Sequence, residues 1–165
     1  MPKVEKSMEE AGGGGLERGA LAGNIGPYAR ILHNLLTARV TATFGAFGLS
    51  PPAFSMIALI AANEGCSQNA LARENAMDKS AVVTILDELE GKGLVRRVRS
   101  QTDRRRHALS LTAEGQALLV RLRQAAETVE RPIREALTPE EAAQLVALLR
   151  RARAALEAQP VLPEG

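Results

Sequence analysis

The chain has 165 residues, of which 45% are apolar and only 2% aromatic; this suits one largely helical domain, with or without an extension. It contains no run of 18 apolar residues, and its first 19 residues lack the apolar centre of a signal peptide, so we expect a cytoplasmic protein. The single cysteine, Cys66, excludes a disulfide framework within the chain and a cysteine-based zinc site. We expect no cofactor and no bound metal.

The positive charge is concentrated in one segment. The chain has a net charge of +2, but residues 92–107 contain seven Lys or Arg and one Asp, a net charge of +6, which leaves −4 for the remainder. Such a segment is typical of a nucleic-acid-binding surface. A solvated basic loop has the same composition, so charge alone leaves both interpretations open.

The first third of the chain predicts a tail followed by two helices. Residues 1–22 are polar and rich in glycine, which predicts a flexible tail. Apolar residues then recur at a helical period after Pro27, up to Gly48. Ser50 is a suitable N-cap for a second helix, which opens with two prolines and ends near residues 63–65.

Two short helices and a hairpin follow. Ser67 can cap a third helix, residues 75–78 predict a turn, and a fourth helix runs from about Lys79 to Lys92. The inward positions of the fourth helix are predicted to be Val82, Ile85, Leu86 and Leu89, with Gly91 and Gly93 closing it. Strands at residues 94–100 and 107–111 enclose a loop at 101–106, which places three consecutive arginines at the tip of a β-wing.

Two long helices complete the chain. Thr112 can cap the fifth helix, Pro132 can kink it, and the Thr138–Glu141 segment is a capping box for the sixth. The apolar stripes of the first, fifth and sixth helices exceed what one subunit can cover, which favours a homodimer over the alternative of a bundle within one chain.

We therefore predict a mainly α fold, a winged helix-turn-helix with a small β-wing and additional N- and C-terminal dimerisation helices. The predicted organisation is a flexible N-terminal tail (1–22), an N-terminal dimerisation helix (23–49), a winged helix-turn-helix DNA-binding region (50–112), C-terminal dimerisation helices (113–158) and a tail (159–165).

Three stretches of this sequence resemble the MarR (multiple antibiotic resistance regulator) family. They are GLSPPAFSMIALI, DKSAVVTILDELEGKGLVRR and DRRRHALSLTAEGQALL, spaced as in the family. The resemblance implies a winged-helix homodimer that binds palindromic double-stranded DNA, usually as a repressor, and that releases it when a small molecule binds. It thus implies a DNA-binding transcriptional regulator.

The resemblance also implies which residues of the fourth helix face the major groove. They are Lys79, Ser80, Ala81, Val83 and Thr84. Many relatives carry Thr at the places of Ala81 and Val83, and Arg at the place of Thr84. Because this chain lacks that arginine, we expect weak recognition centred on thymine methyl groups.

In the wing, Asp103 and Arg105 match the family's Asp-x-Arg motif, in which the acid braces an arginine that enters the minor groove. We expect Arg104 and Arg106 to contact phosphates. Arg96, Arg97 and Arg99 alternate between the two faces of the first strand, so only some of them can reach DNA. For Arg96 the alternative is a salt bridge to an acidic residue of a helix.

Polar residues on the first helix are candidates for binding an effector. By resemblance, the effector of the family lies between the dimer helices and the winged helix-turn-helix, and an aromatic acid or its coenzyme-A thioester is the favoured class. The candidate residues are Tyr28, Arg30, His33, Asn34 and Arg39, of which the arginines could grip a carboxylate or phosphate. Alternatively, these residues pair with one another across the dimer or face water.

Three other functions agree less well with this sequence. Cys66 could sense oxidants, but the sensing cysteine of relatives lies near the first helix, so a small buried thiol is the simpler interpretation. An enzyme is disfavoured, because the sequence has no zinc-protease, P-loop or dinucleotide-binding motif. An interaction module without specific DNA binding is disfavoured by the arginines of the wing.

Overall fold

The computed structural model describes residues 16–99 and 107–159, so the predicted wing loop and the outer parts of both predicted tails lie outside the described residues. The elements follow in the order α1 (Ile25–Gly45), α2 (Pro51–Ala62), α3 (Gln68–Glu74), α4 (Lys79–Gly91), β1 (Val95–Arg99), β2 (His107–Leu111), α5 (Ala113–Ala136) and α6 (Pro139–Ala158). The predicted mainly helical fold with a small antiparallel wing is confirmed. None of the helices in this part of the chain combines the length and apolarity that a membrane crossing requires.

The chain divides into two compact units, one ending at Leu35 and the other beginning at Leu36, within α1. In the first unit a short 3-10 helix (Gly19–Leu21) lies within the segment predicted to be a flexible tail. Beside it, the guanidinium of Arg18 lies 4.5 Å from the ring centre of Tyr28, a cation–π contact.

The core of the second unit is built where α2, α3 and α4 meet the hairpin and α5. The four predicted inward positions of α4 are all buried, which confirms the period assigned to that helix. The other fully buried side chains are Phe44, Ala53, Met56, Ile57, Ile60, Leu109 and Leu122. This core fixes α4 with one face inward and the opposite face to solvent.

The four predicted N-cap residues are confirmed, and three of them make a capping hydrogen bond through the side chain. The hydroxyls of Ser67 and Thr112 each accept a hydrogen bond from the N–H three residues on, and Thr138 forms the complete capping box with Glu141. Ser50 occupies the predicted N-cap position with an extended backbone, but its side chain makes no capping hydrogen bond. Pro52 has no N–H to offer, and the N–H of Ala53 donates instead to the Ser50 carbonyl, at 3.0 Å.

The connection from α4 to the wing is a Schellman turn. The N–H of Leu94 donates to the Leu89 carbonyl at 2.9 Å, and that of Gly93 donates to the Glu90 carbonyl at 2.9 Å. Gly93 has φ +69°, a conformation that glycine adopts without steric cost. The turn therefore directs β1 back along α4.

The long C-terminal helices differ in how much they bury. α5 runs through Pro132 without interruption and buries Leu119, Leu122 and Val129. α6 buries no residue, and its exposed apolar side chains are Val146, Leu148, Leu149 and Leu156. In the first unit, Ile25, Tyr28, Leu32 and Leu35 of α1 are likewise exposed.

Candidate nucleic-acid interface

The start of α4 presents the side chains predicted to enter the major groove. Lys79, Ser80, Val83 and Thr84 are exposed, and Ala81 is half-buried. They face solvent because Val82, Ile85 and Leu86 hold the opposite side of the helix in the core. The Thr84 hydroxyl donates to the Ser80 carbonyl at 3.1 Å, so its hydrogen is already used within the helix. The surface therefore combines one positive charge, a serine hydroxyl and apolar groups.

A groove of about 900 Å³ lies beside this surface, between α3 and the start of α4. Lys79 and Ser80 form one wall, and Asn69 and Arg73 of α3 lie in the other. The remaining lining residues are Ala72, Ala76, Met77 and Asp78. Asn69 and Arg73 were missed by the sequence analysis, because only the packing of α3 against α4 brings them next to Lys79.

Asn75 holds the turn between α3 and α4. Its side-chain amide donates to the Leu71 carbonyl at 2.9 Å, and its Oδ1 accepts from the Ser55 hydroxyl of α2 at 2.8 Å. One half-buried side chain thus ties the turn to two helices, which fixes where α4 begins.

The hairpin register places alternate β1 side chains on opposite faces. Val95 pairs with Leu111 and Arg97 with Leu109, so these four residues share the face that carries the buried leucines. Arg96 pairs with Ser110 on the other face, and its Nε donates to the Ser110 hydroxyl at 2.8 Å.

The arginine that reaches a helix acid is Arg97. Its guanidinium lies 2.5 Å from Asp87 Oδ1 and 3.0 Å from Glu90 Oε2, both on α4. The salt bridge to an acidic residue of a helix, which was the alternative for Arg96, is therefore made by Arg97. The alternation of side chains along β1 could have predicted this, because Arg97 is two residues after the buried Val95 and therefore lies on the same face of the strand.

The base of the wing is held by Thr112. Its hydroxyl donates to the Gly93 carbonyl at 2.6 Å and accepts from the Gly115 N–H at 3.0 Å. Its own N–H donates to the Leu94 carbonyl at 3.1 Å. The start of α5 and the end of α4 are thus joined where the two strands leave the core.

Asp103, Arg104, Arg105 and Arg106, the predicted wing contacts, lie outside the described residues. The strands that carry their loop are described, and they confirm the predicted hairpin. The side chain of Arg99 is likewise outside the description.

Four of the candidate effector residues, Tyr28, Arg30, His33 and Asn34, belong to the first unit and are exposed there. Arg39 belongs to the second unit, where its Nε donates to the Val129 carbonyl of α5 at 3.2 Å. Part of its hydrogen-bonding capacity is therefore already used within the subunit.

Cys66 is half-buried in the turn before α3, and burial raises the pKa of its thiol. Its carbonyl accepts from the Leu109 N–H at 3.1 Å, which ties the turn to the wing. A raised pKa lowers the thiolate fraction, which disfavours a role in sensing oxidants.

No group of three His, Cys, Asp or Glu side chains able to hold a metal occurs among the residues that the structure describes.

Comparisons with known proteins agree with this architecture. The sequence model of the MarR family matches residues 47–106. The putative transcriptional regulatory protein for the hcr operon of Thauera aromatica is 36% identical over 140 residues, which are 82% of this chain and 82% of that protein.

Two solved structures are also similar. The transcriptional repressor CouR, bound to a 23-mer DNA duplex, has a TM-score of 0.77 at 30% identity, over 85% of this chain and 99% of that one. A Mycobacterium tuberculosis MarR family protein in complex with p-aminosalicylic acid has a TM-score of 0.63 at 25% identity, over 78% of this chain and 97% of that one. This chain is a member of the MarR family of transcriptional regulators.

Proposed function

We propose that this regulator binds a pseudo-palindromic operator as a homodimer, represses transcription there, and is released by a small aromatic effector. The observation that carries the proposal is the exposed start of α4 next to a hairpin whose segment holds a net charge of +6. The similar repressor CouR has been solved on a DNA duplex, which supports specific DNA binding over an interaction module or an enzyme. The proposed function also implies a cytoplasmic protein.

The major-groove contacts are proposed to come from Lys79, Ser80, Ala81, Val83 and Thr84. Val83 is 38% exposed and, with the Thr84 methyl group, offers apolar contact to thymine. Ser80 can hydrogen-bond a base edge or a phosphate, and Lys79 can contact a phosphate. Because this surface of α4 carries no arginine, we expect contacts to guanine to contribute little to its discrimination between DNA sequences.

The wing is proposed to supply the minor-groove contact. Arg105 would enter a narrow, A/T-rich groove, braced by Asp103, with Arg104 and Arg106 on the flanking phosphates. Because the major-groove surface lacks a guanidinium, we expect the wing to contribute most of the charge-dependent affinity.

The homodimer is proposed to form through the C-terminal helices together with α1. Leu149 and Leu156 of α6 are 50% and 75% exposed, and Leu145 is half-buried on the same stripe. A partner subunit would cover this stripe. Two-fold symmetry then separates the half-sites by about one helical turn, roughly 10 bp.

The effector is proposed to be an aromatic acid or its coenzyme-A thioester. A similar MarR family protein has been solved with p-aminosalicylic acid, an aromatic acid. In this chain Arg30 and Arg39 are the candidate partners of a carboxylate or phosphate, and Tyr28, His33 and Asn34 are candidate neighbours of the ring.

DNA binding is tested by selecting duplexes from a random library with the full chain. The enriched sequences should share an inverted repeat with half-sites about 10 bp apart. The recovered duplex should stay bound in excess random duplex, whereas a duplex with one scrambled half-site should bind much more weakly. If no sequence is enriched, the proposed function is wrong.

The effector class is tested on the recovered duplex. Salicylate, p-aminosalicylate and benzoyl-coenzyme A are titrated, with acetyl-coenzyme A as the non-aromatic control. At least one aromatic compound should weaken DNA binding about tenfold or more, and Arg30→Gln or Arg39→Gln should reduce that effect. If DNA affinity is unchanged with every aromatic compound, the proposed effector class is excluded.

A further inference from the structure

The second half of α4 carries negative charge next to the proposed DNA surface. Asp87, Glu88 and Glu90 are all exposed, and Asp87 follows Ser80, Val83 and Thr84 on one stripe of the helix. Residues spaced by three or four lie on the same side of a helix. The proposed DNA surface therefore runs directly into acidic residues, which repel phosphates.

Arg97 of β1 joins this acidic half of α4 to the wing. Its side chain is only 18% exposed, and its guanidinium bridges Asp87 and Glu90, one helical turn apart. The Arg97 N–H also donates to Glu90 Oε1 at 3.3 Å, so both the backbone and the side chain of the strand are bonded to the helix. A planar guanidinium presents its N–H donors in a rigid fork, so it can contact two carboxylates in a set geometry.

We infer that Arg97 is a positioning residue for DNA binding, which holds the wing at a set distance and angle from α4 and does not itself contact DNA. The inference rests on the proposed function. A MarR-type complex requires α4 and the wing to enter two grooves at the same time, and the separation of the grooves is fixed by the duplex. Arg97 lies two residues before the end of β1, so fixing it to α4 fixes the direction in which the strands leave the core.

The charges around Arg97 argue against a phosphate contact. Its one positive charge is shared between two carboxylates, so the cluster of three residues is negative. Lys92, in contrast, lies 3.6 Å from a single carboxylate, that of Glu88. The two possible roles of Arg97 therefore predict opposite changes in DNA affinity when the two carboxylates are removed. Affinity would rise if Arg97 contacted a phosphate, and it would fall if Arg97 positions the wing.

The test compares three variants of the full chain on the duplex recovered by selection. Arg97→Gln removes the guanidinium, and the double variant Asp87→Asn with Glu90→Gln removes its partners. Glu88→Gln is the matched control, because it removes a carboxylate of α4 that does not contact β1. Affinity is measured by fluorescence anisotropy at several salt concentrations, and circular dichroism checks that each variant is folded.

We expect Arg97→Gln and the double variant each to lose about tenfold in affinity, while Glu88→Gln loses nothing. The slope of log K against log salt should stay at the wild-type value, because no phosphate contact is lost. A triple variant that combines Arg97→Gln with Asp87→Asn and Glu90→Gln should lose no more DNA affinity than Arg97→Gln alone. If Arg97→Gln fails to fold, the double variant, whose residues are exposed, decides the matter by itself.

Two results would overturn the inference. One is a tighter complex for the double variant together with a salt slope that falls by about 0.9 for each subunit in Arg97→Gln, which would identify a phosphate contact. The other is unchanged affinity in both Arg97→Gln and the double variant. Since the wild-type chain must bind the duplex before any comparison is made, failure of the proposed function would be seen separately, in the selection itself.

Discussion

Gly115, in the first turn of α5, lies directly against the carbonyl oxygen of Leu94. A Cβ atom at position 115 would approach that oxygen far more closely than real Cβ atoms do, and it would also touch the Leu111 side chain. The contact occurs at the base of the wing, where Thr112 already joins the two segments. Backbone packing this close is available only to glycine.

Gly115→Ala should therefore destabilise the protein. We expect the free energy of unfolding to fall by about 1–3 kcal/mol, because the backbone of Leu94 cannot move aside as a flexible side chain could. The measurement is urea unfolding at a fixed protein concentration, since a dimer unfolds in a concentration-dependent way. Gly91→Ala is the control, because nothing lies within 4 Å of a Cβ there, and it should be neutral or slightly stabilising. Equal stability of the two variants would contradict the packing argument.

Asn75→Ala should loosen the turn between α3 and α4. Its side chain bonds Leu71 and Ser55, so we expect a loss of about 1–2 kcal/mol in the free energy of unfolding. Asn63→Ala removes an exposed amide that bonds only within the end of its own helix, and it should change stability by less than about 0.5 kcal/mol. Chemical unfolding of both variants measures the difference. A loss no larger for Asn75→Ala than for Asn63→Ala would mean that the side-chain bonds do not hold the turn.

Leu149→Glu should separate the proposed dimer. A carboxylate on the exposed apolar stripe of α6 would have to be buried by the partner subunit, which is unfavourable without a compensating charge. Sedimentation velocity at micromolar concentration should show a monomer for this variant and a dimer for the wild-type chain. Gln144→Glu adds the same charge at an exposed polar position of α6, and it should stay dimeric. A dimeric Leu149→Glu would exclude this stripe as the interface.

Arg105→Ala should weaken operator binding by about 1–3 kcal/mol if the side chain enters the minor groove as proposed. The loss should be larger on an operator with an A/T-rich centre than on one in which G/C pairs replace it. Arg134→Ala removes the same charge from α5, where Arg134 pairs with Glu130, and it should leave binding unchanged. Equal affinity of the Arg105→Ala and wild-type proteins would remove Arg105 from the proposed interface.

Binding should also weaken steeply with salt, because each proposed dimer presents two basic wings. The measurement is a titration of the wild-type complex between 50 and 200 mM salt, a range over which four phosphate contacts, two in each wing, would cost about 10² in affinity. A nearly flat titration would contradict the phosphate contacts assigned to Arg104 and Arg106.

Cys66 should react slowly with alkylating reagents. Burial raises the pKa of its thiol, so at pH 8 a smaller fraction of Cys66 is thiolate than in an unstructured cysteine. The pH at which alkylation reaches half its maximal rate should therefore be higher in the folded protein than in the unfolded chain. The rate of iodoacetamide modification from pH 7 to 10, compared with that of the urea-unfolded chain, measures this. Faster modification in the folded protein would revive an oxidant-sensing role.

The features that depend on residues close together in the chain could be predicted before the fold was known. The apolar period of α4 predicted Val82, Ile85, Leu86 and Leu89 as its buried side, and all four are buried. The four N-cap residues were also predicted, and three of them accept a hydrogen bond from the N–H three residues on. Such signals are local, because helix periodicity, caps and tight turns act within one or two turns of the chain.

The features that join separate elements became visible only in the folded chain. The two carboxylates that bind Arg97 lie seven and ten residues before it, on another element. The packing of α3 against α4 places α3 residues beside Lys79, and Gly115 contacts the Leu94 carbonyl at the base of the wing. Alternation predicted that the arginines of β1 divide between two faces, but only the packing of the hairpin shows which of these faces meets the acidic residues of α4. Which charge is neutralised and which is free for DNA depends on how the strand packs against α4, and packing at that distance is not a property of the local sequence.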